Sequence, residues 1–70
     1  MDWIEAPGSS TIARFSYDSS TKTLTVVFLK SGTYNYFDVP EAVFEQFKSA
    51  SSKGQFLAQS IKGNYRYARG

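Results

Sequence analysis

Thr23-Leu24-Thr25-Val26-Val27-Phe28-Leu29, then Lys30-Ser31-Gly32, then Thr33-Tyr34-Asn35-Tyr36-Phe37-Asp38: this stretch reads as a strand, a turn and a second strand. The first run is dense in β-branched and aromatic residues, which fit a pleated, half-buried surface. Loop length decides which face carries the tyrosines, because side chains alternate with a period of two. A two-residue Ser-Gly loop matches the favoured Asn-Gly or Asp-Gly poorly, and it would set Tyr34 and Tyr36 beside Val27 and Leu29. A three-residue loop, Lys30-Ser31-Gly32, suits the residues better because Gly occupies the left-handed position of a bulged turn. That loop predicts Phe28 opposite Tyr34 and Val26 opposite Tyr36. Leu24, Val26, Phe28, Tyr34 and Tyr36 then share one face, and Thr25, Val27, Leu29, Asn35 and Phe37 the other.

Upstream, Ile12–Asp18 is a further strand, joined to the first run by the turn formers Asp18-Ser19-Ser20-Thr21. The three strands form an antiparallel meander. Residues 1–10, with Pro7, Gly8, Ser9 and Ser10, read as a loose leader from which Trp3 and Ile4 pack onto the body; residues 11–70 form a single domain. Downstream, Pro40 suits the first position of a helix and Glu41 its positive end. Val43, Phe47 and Ala50 make one apolar stripe with Phe44 beside it. Ser51-Ser52-Lys53-Gly54 breaks this helix, and Ser52 with Gln55 matches a capping box that starts a second. Phe56, Leu57 and Ile61 are its apolar face, Gly63 ends it, and Asn64–Gly70 is a polar, aromatic tail. The expected fold is α+β, a three-stranded meander followed by two helices packed on one face (βββαα).

A 70-residue chain has little core to work with, and this one has neither Cys nor His, so disulfides and an ordinary zinc site are excluded. Large rings must supply the burial, which is consistent with 17% aromatic residues. No metal and no cofactor is expected. Met1 is followed by Asp2 and Glu5, the wrong charge for a signal peptide, and no apolar run approaches membrane length. A cytoplasmic protein with no membrane association is the expectation. Charge is split along the chain. Residues 1–45 hold three basic and six acidic side chains, whereas 46–70 hold Lys48, Lys53, Lys62, Arg66 and Arg69 with no acid. Such a split points to an anionic partner.

Catalytic chemistry finds little support. Ser19-Ser20-Thr21-Lys22 has the S-x-x-K spacing of a serine nucleophile, but that mechanism needs a helical turn in a cleft and this is an exposed hairpin turn. Glu41 and Glu45 have ordinary surface spacing on one helix face. Asp18 is a turn acceptor and Asp38 sits at a helix entry, so no carboxylate pair is poised for acid–base work. Neither a catalytic residue nor a small-molecule substrate is expected. The binding candidates are Lys53, Lys62, Tyr65, Arg66, Tyr67 and Arg69, where basic and aromatic residues interleave as phosphate contact and base stacking require. Tyr34 and Tyr36 could form a stacking platform on the sheet, but the turn chemistry favours both rings in the core.

Gly32-Thr33-Tyr34-Asn35-Tyr36, Val39-Pro40, Ser52-Lys53-Gly54-Gln55-Phe56 and Ile61-Lys62 together resemble the KTSC domain family, over roughly residues 9–68. The family is named for its place at the C-terminus of some lysyl-tRNA synthetases and also occurs as small stand-alone bacterial proteins. Its Y-x-Y signature falls here on Tyr34 and Tyr36. The resemblance implies a small domain for which RNA binding has been suggested, and it carries no further site residue. The expected function is a non-catalytic binding module, binding structured RNA such as tRNA through the basic C-terminal half. The alternative is a protein-interaction or homodimerisation module using the Val27–Leu29–Phe37 face of the sheet.

Overall fold

The computed structural model describes residues 2–70; Met1 lies outside the described residues. Five strands form one antiparallel sheet in the order β1 Ile4–Glu5, β2 Ile12–Asp18, β3 Thr23–Phe28, β4 Gly32–Tyr36 and β5 Tyr67–Arg69. Helix α1 spans Glu41–Ser49, and α2 spans Lys53–Phe56 and runs on into a π-helical turn, Leu57–Ile61. The fold is α+β with helices on one face, as expected, but the sheet has five strands rather than three. Both additions lie at its edges. Ile4 and Glu5, read from sequence as leader, pair with Phe15 and Arg14, and Ala6 is buried behind them. The polar tail pairs with β4, setting Arg69 opposite Tyr34 and Tyr67 opposite Tyr36. Its three strand residues are exposed, and an edge strand this short that carries a charge, here Arg69, resists further pairing.

The central hairpin has Val26 opposite Tyr34, Leu24 opposite Tyr36 and Phe28 opposite Gly32. The loop is therefore Leu29-Lys30-Ser31, one residue earlier than expected, and the pairing is displaced by two positions along one strand. Because the displacement is even, the tyrosines stay on the expected face. Gly32, at φ +92°, follows the loop in a conformation that other residues reach only with strain.

A β-bulge at Ala13 shifts the β2–β3 register between Ile12 and Arg14. Without the extra residue, Ile12 and Phe15 would point to opposite faces; with it both are fully buried on one face. Ile12, Phe15, Leu24, Val26 and Tyr36 form the sheet side of the core, against Val39, Phe44, Phe47, Leu57 and Ile61. Aromatic edges fill the gap: the Phe15 ring lies 4.7 Å from Phe47 and 6.1 Å from Phe44. Tyr17 stacks on Phe44 at 4.6 Å and donates its hydroxyl to the Val39 carbonyl, tying β2 to the helix entry.

Pro40 caps α1 rather than occupying its first turn. Ser52 caps α2 as its spacing predicts, its hydroxyl accepting the Gln55 N–H. The π-helical turn ends when the Lys62 N–H reaches the Leu57 carbonyl at 2.7 Å. This turns Lys62 and Gly63 toward the sheet. Among the described residues no helix is long and apolar enough to cross a membrane.

Candidate nucleic-acid interface

Strands β4 and β5 bring three tyrosines together. Tyr34 and Tyr36 alternate on one face of β4, and Tyr67 comes across from β5 to lie between them. Its ring centroid is 5.7 Å from Tyr34 and 5.8 Å from Tyr36. Phe28 meets Tyr34 edge-on at 5.4 Å. These rings line a groove of about 420 Å³, closed on its other sides by Thr11, Ser31, Lys62 and Gly63. The three rings differ in exposure. Tyr36 is 2% exposed, Tyr34 is half-buried, and Tyr67 is 59% exposed. The Y-x-Y pair is thus the floor of the groove, and the ring open to solvent is Tyr67.

Arg69 completes the site. Its guanidinium carbon stands 5.8 Å from the Tyr34 ring centroid, and Nη2 donates to the Ser31 carbonyl at 3.1 Å. A cation over an aromatic face is attracted by the ring quadrupole, and the bond to Ser31 anchors the charge at the rim of the groove. Lys62 also lines the groove. Among the described residues no acidic side chain lines the groove, so its field favours an anion.

The other sequence candidates lie elsewhere. Arg66 is on the far face of the sheet, 5.8 Å over Phe37 and 3.4 Å from Asp38, in a pair too exposed to add much stability. Lys53 belongs to a second cleft with Thr11, Ser52 and Gln55. Tyr65 is half-buried against the core. The basic residues of the C-terminal half therefore do not make one patch, and two have acidic partners, since Lys48 lies 3.3 Å from Glu45. Ser19-Ser20-Thr21-Lys22 is an exposed turn in which Asp18 accepts both the Ser20 N–H and its hydroxyl. The alternative reading uses the open face of the sheet. Leu29 leaves it for the turn, Phe37 lies under Arg66, and Thr25 bonds Asn35 at 2.7 Å.

Burial raises the Tyr36 pKa above the ordinary tyrosine range, and the phenols of Tyr34 and Tyr67 add to the shift. Burial also raises Tyr17, helped by Glu41 and Asp18. The folded state holds both protons more tightly than the unfolded chain. Their contribution is complete below about pH 10, the unfolded tyrosine value, and is lost as pH rises through the raised folded values. Denaturant midpoints should therefore fall between neutral pH and about pH 11. Phenolate absorbance should show a late component that Tyr17→Phe and Tyr36→Phe each reduce. Unchanged midpoints, or a late component that survives both variants, would contradict this.

The KTSC domain model matches residues 8–65, most of the chain. The chain belongs to the KTSC domain family. It is similar to a KTSC domain protein of Yersinia pestis, known from a crystal structure: TM-score 0.94 and 35% identity, covering 99% of this chain and 96% of that one. It is 43% identical over 61 residues to a lysine–tRNA ligase of Nostoc punctiforme, which covers 87% of this chain but 11% of the ligase. A protein of Tsukamurella paurometabola is 34% identical over 58 residues, covering 83% of this chain and 87% of that protein. The KTSC domain therefore occurs both inside long ligases and in proteins of about its own length. The KTSC match ends at Tyr65, so Tyr67 and Arg69, which complete the groove, lie just beyond it.

Proposed function

We propose that this KTSC domain is a non-catalytic module that binds RNA at the tyrosine groove. The observation that carries the reading is Tyr67: a 59% exposed ring held by two other tyrosines, with Arg69 and Lys62 at the rim of the groove. Exposed aromatic faces stack unpaired bases, and flanking cations contact phosphate. Relatives named lysine–tRNA ligase support the choice of RNA, because a segment similar to this chain is carried by proteins whose name makes tRNA a substrate.

The test is an anisotropy titration with a mixed tRNA pool at several salt concentrations. Phosphate contact makes affinity fall steeply with salt, whereas apolar association barely responds. Arg69→Ala should lower the salt slope by up to about one unit. Arg66→Ala, on the opposite face beside Asp38, should leave it unchanged. Equal effects from the two arginines would move the site away from the groove. No binding by the wild type at low salt would overturn the RNA reading.

A further inference from the structure

We infer that the second cleft holds the sugar–phosphate backbone of a single RNA strand whose base occupies the tyrosine groove, so that the two form one track meeting at Thr11. The inference rests on the RNA reading and assigns the cleft a role of its own. The cleft, about 530 Å³, lies between residues 5–11 and residues 51–58. Thr11 borders both depressions.

The two halves differ in chemistry. The groove is walled by aromatic rings, whereas the cleft has none: it presents Ser10, Thr11, Ser51, Ser52, Gln55 and Lys53. Hydroxyls, an amide and one ammonium match phosphate oxygens and ribose hydroxyls, the contacts that position a strand without reading its bases. The Ser9 hydroxyl accepts the N–H groups of Thr11 and Ile12 at 3.2 and 2.9 Å, which fixes the loop. A Cβ on Gly54 would lie 3.4 Å from Thr11 Oγ1, an ordinary contact distance, so the loop and α2 meet closely at this point. Among the described residues Thr11 Oγ1 makes no hydrogen bond of its own. Lys53 Nζ has only a long 3.4 Å contact with the Ala50 carbonyl, which a phosphate can displace. Glu5 also lines the cleft, and a phosphate held by Thr11 and Lys53 rather than beside that carboxylate avoids like-charge repulsion.

A single strand fits this arrangement and a duplex does not. Paired bases are stacked on one another and cannot offer a face to Tyr67, whereas unpaired nucleotides splay base and phosphate apart. The whole molecule measures 28 × 25 × 23 Å, so the track holds a few nucleotides.

The experiment uses the full chain and fluorescently labelled RNA: a dinucleotide, a tetranucleotide and a blunt-ended duplex of two complementary strands without unpaired bases, titrated at several salt concentrations. The tetranucleotide should bind several-fold more tightly than the dinucleotide, and the duplex more weakly than either. Lys53→Ala should remove the gain on lengthening and lower the tetranucleotide salt slope by about one unit. Thr11→Val should weaken the tetranucleotide selectively. Tyr67→Ala should weaken both oligomers, and thermal melts check that each variant is folded. If Lys53→Ala and Thr11→Val leave the tetranucleotide unaffected while Tyr67→Ala weakens it, the track is wrong and the groove stands. Duplex binding as tight as the tetranucleotide also overturns the track. If neither the oligomers nor the tRNA pool bind the wild type, the RNA reading itself has failed.

Discussion

Tyr36→Ala should leave the chain unfolded at room temperature, whereas Tyr36→Phe should melt within a few degrees of the wild type. Tyr36 is 2% exposed and among the largest fully buried side chains. It lies opposite Leu24 in the register and next to Tyr67. Truncating a buried aromatic costs about 3–5 kcal/mol, through lost transfer energy and the cavity left behind. A domain of this size with no disulfide has only about 3–5 kcal/mol to lose. The substitution therefore spends the whole stability of the fold. The hydroxyl is a different matter. Among the described residues it makes no hydrogen bond, so replacing tyrosine by phenylalanine keeps the ring and strands no partner. Circular dichroism with thermal and urea melts decides the point. A cooperative Tyr36→Ala melt near the wild-type temperature would show that the ring is not core. Large loss in Tyr36→Phe would reveal a hydroxyl role absent from the observed contacts.

Tyr34 differs from Tyr36 although both lie on the same face of the same strand. Tyr34 is nearer the open end of the groove, half-buried, and covered on one side by Arg69. The Y-x-Y pair thus combines a structural ring with one that also shapes the site, and alternation alone cannot separate those roles.

Much of the fold was legible because local signals agreed with the tertiary arrangement. β2 has the bounds that its residues predict, Ser52 caps α2, and a three-residue loop puts the tyrosines on the core face. The parity of a loop is more robust than its position. Shifting a three-residue loop by one place changed every partner in the hairpin but moved no side chain across the sheet. The bulge at Ala13 was less visible, although it had a sequence signal: Ile12 and Phe15, two large apolar residues three apart, cannot both be buried on one face of a regular strand. The edge strands were hidden for a different reason. Ile4–Glu5 and Tyr67–Arg69 are too short to show periodicity, and each is held by the neighbour it pairs with. The candidate site shared this blindness. Charge counted along the chain grouped Lys53, Lys62, Arg66 and Arg69, but β5 sets Arg69 beside Tyr34, whereas Arg66, just before that strand, lies over Phe37 beside Asp38. Only the pairing of β5 with β4 shows which cations stand beside which rings.

Tyr67 is therefore the residue on which the binding reading turns. Tyr67→Ala should weaken RNA binding by about 5- to 150-fold, the equivalent of about 1–3 kcal/mol for one lost stacked base. The same change should lower the melting temperature by less than about 8 °C, because a mostly exposed ring on an edge strand contributes about 1 kcal/mol or less. The two numbers together distinguish this residue from Tyr36, whose loss removes binding only because it removes the fold. Tyr67→Phe keeps the π face and should bind almost as the wild type, whereas Tyr67→Leu keeps apolar bulk without the face and should behave like alanine in binding. Salt adds an independent check. Stacking releases no counterions, so Tyr67→Ala should displace the plot of log affinity against log salt downward without changing its slope, whereas Arg69→Ala should flatten it. Folded Tyr67→Ala with unaltered affinity would mean that the exposed ring serves only to fasten β5 to the sheet. Tyr67→Leu binding as tightly as Tyr67→Phe would mean that the groove recognises apolar surface and not a base.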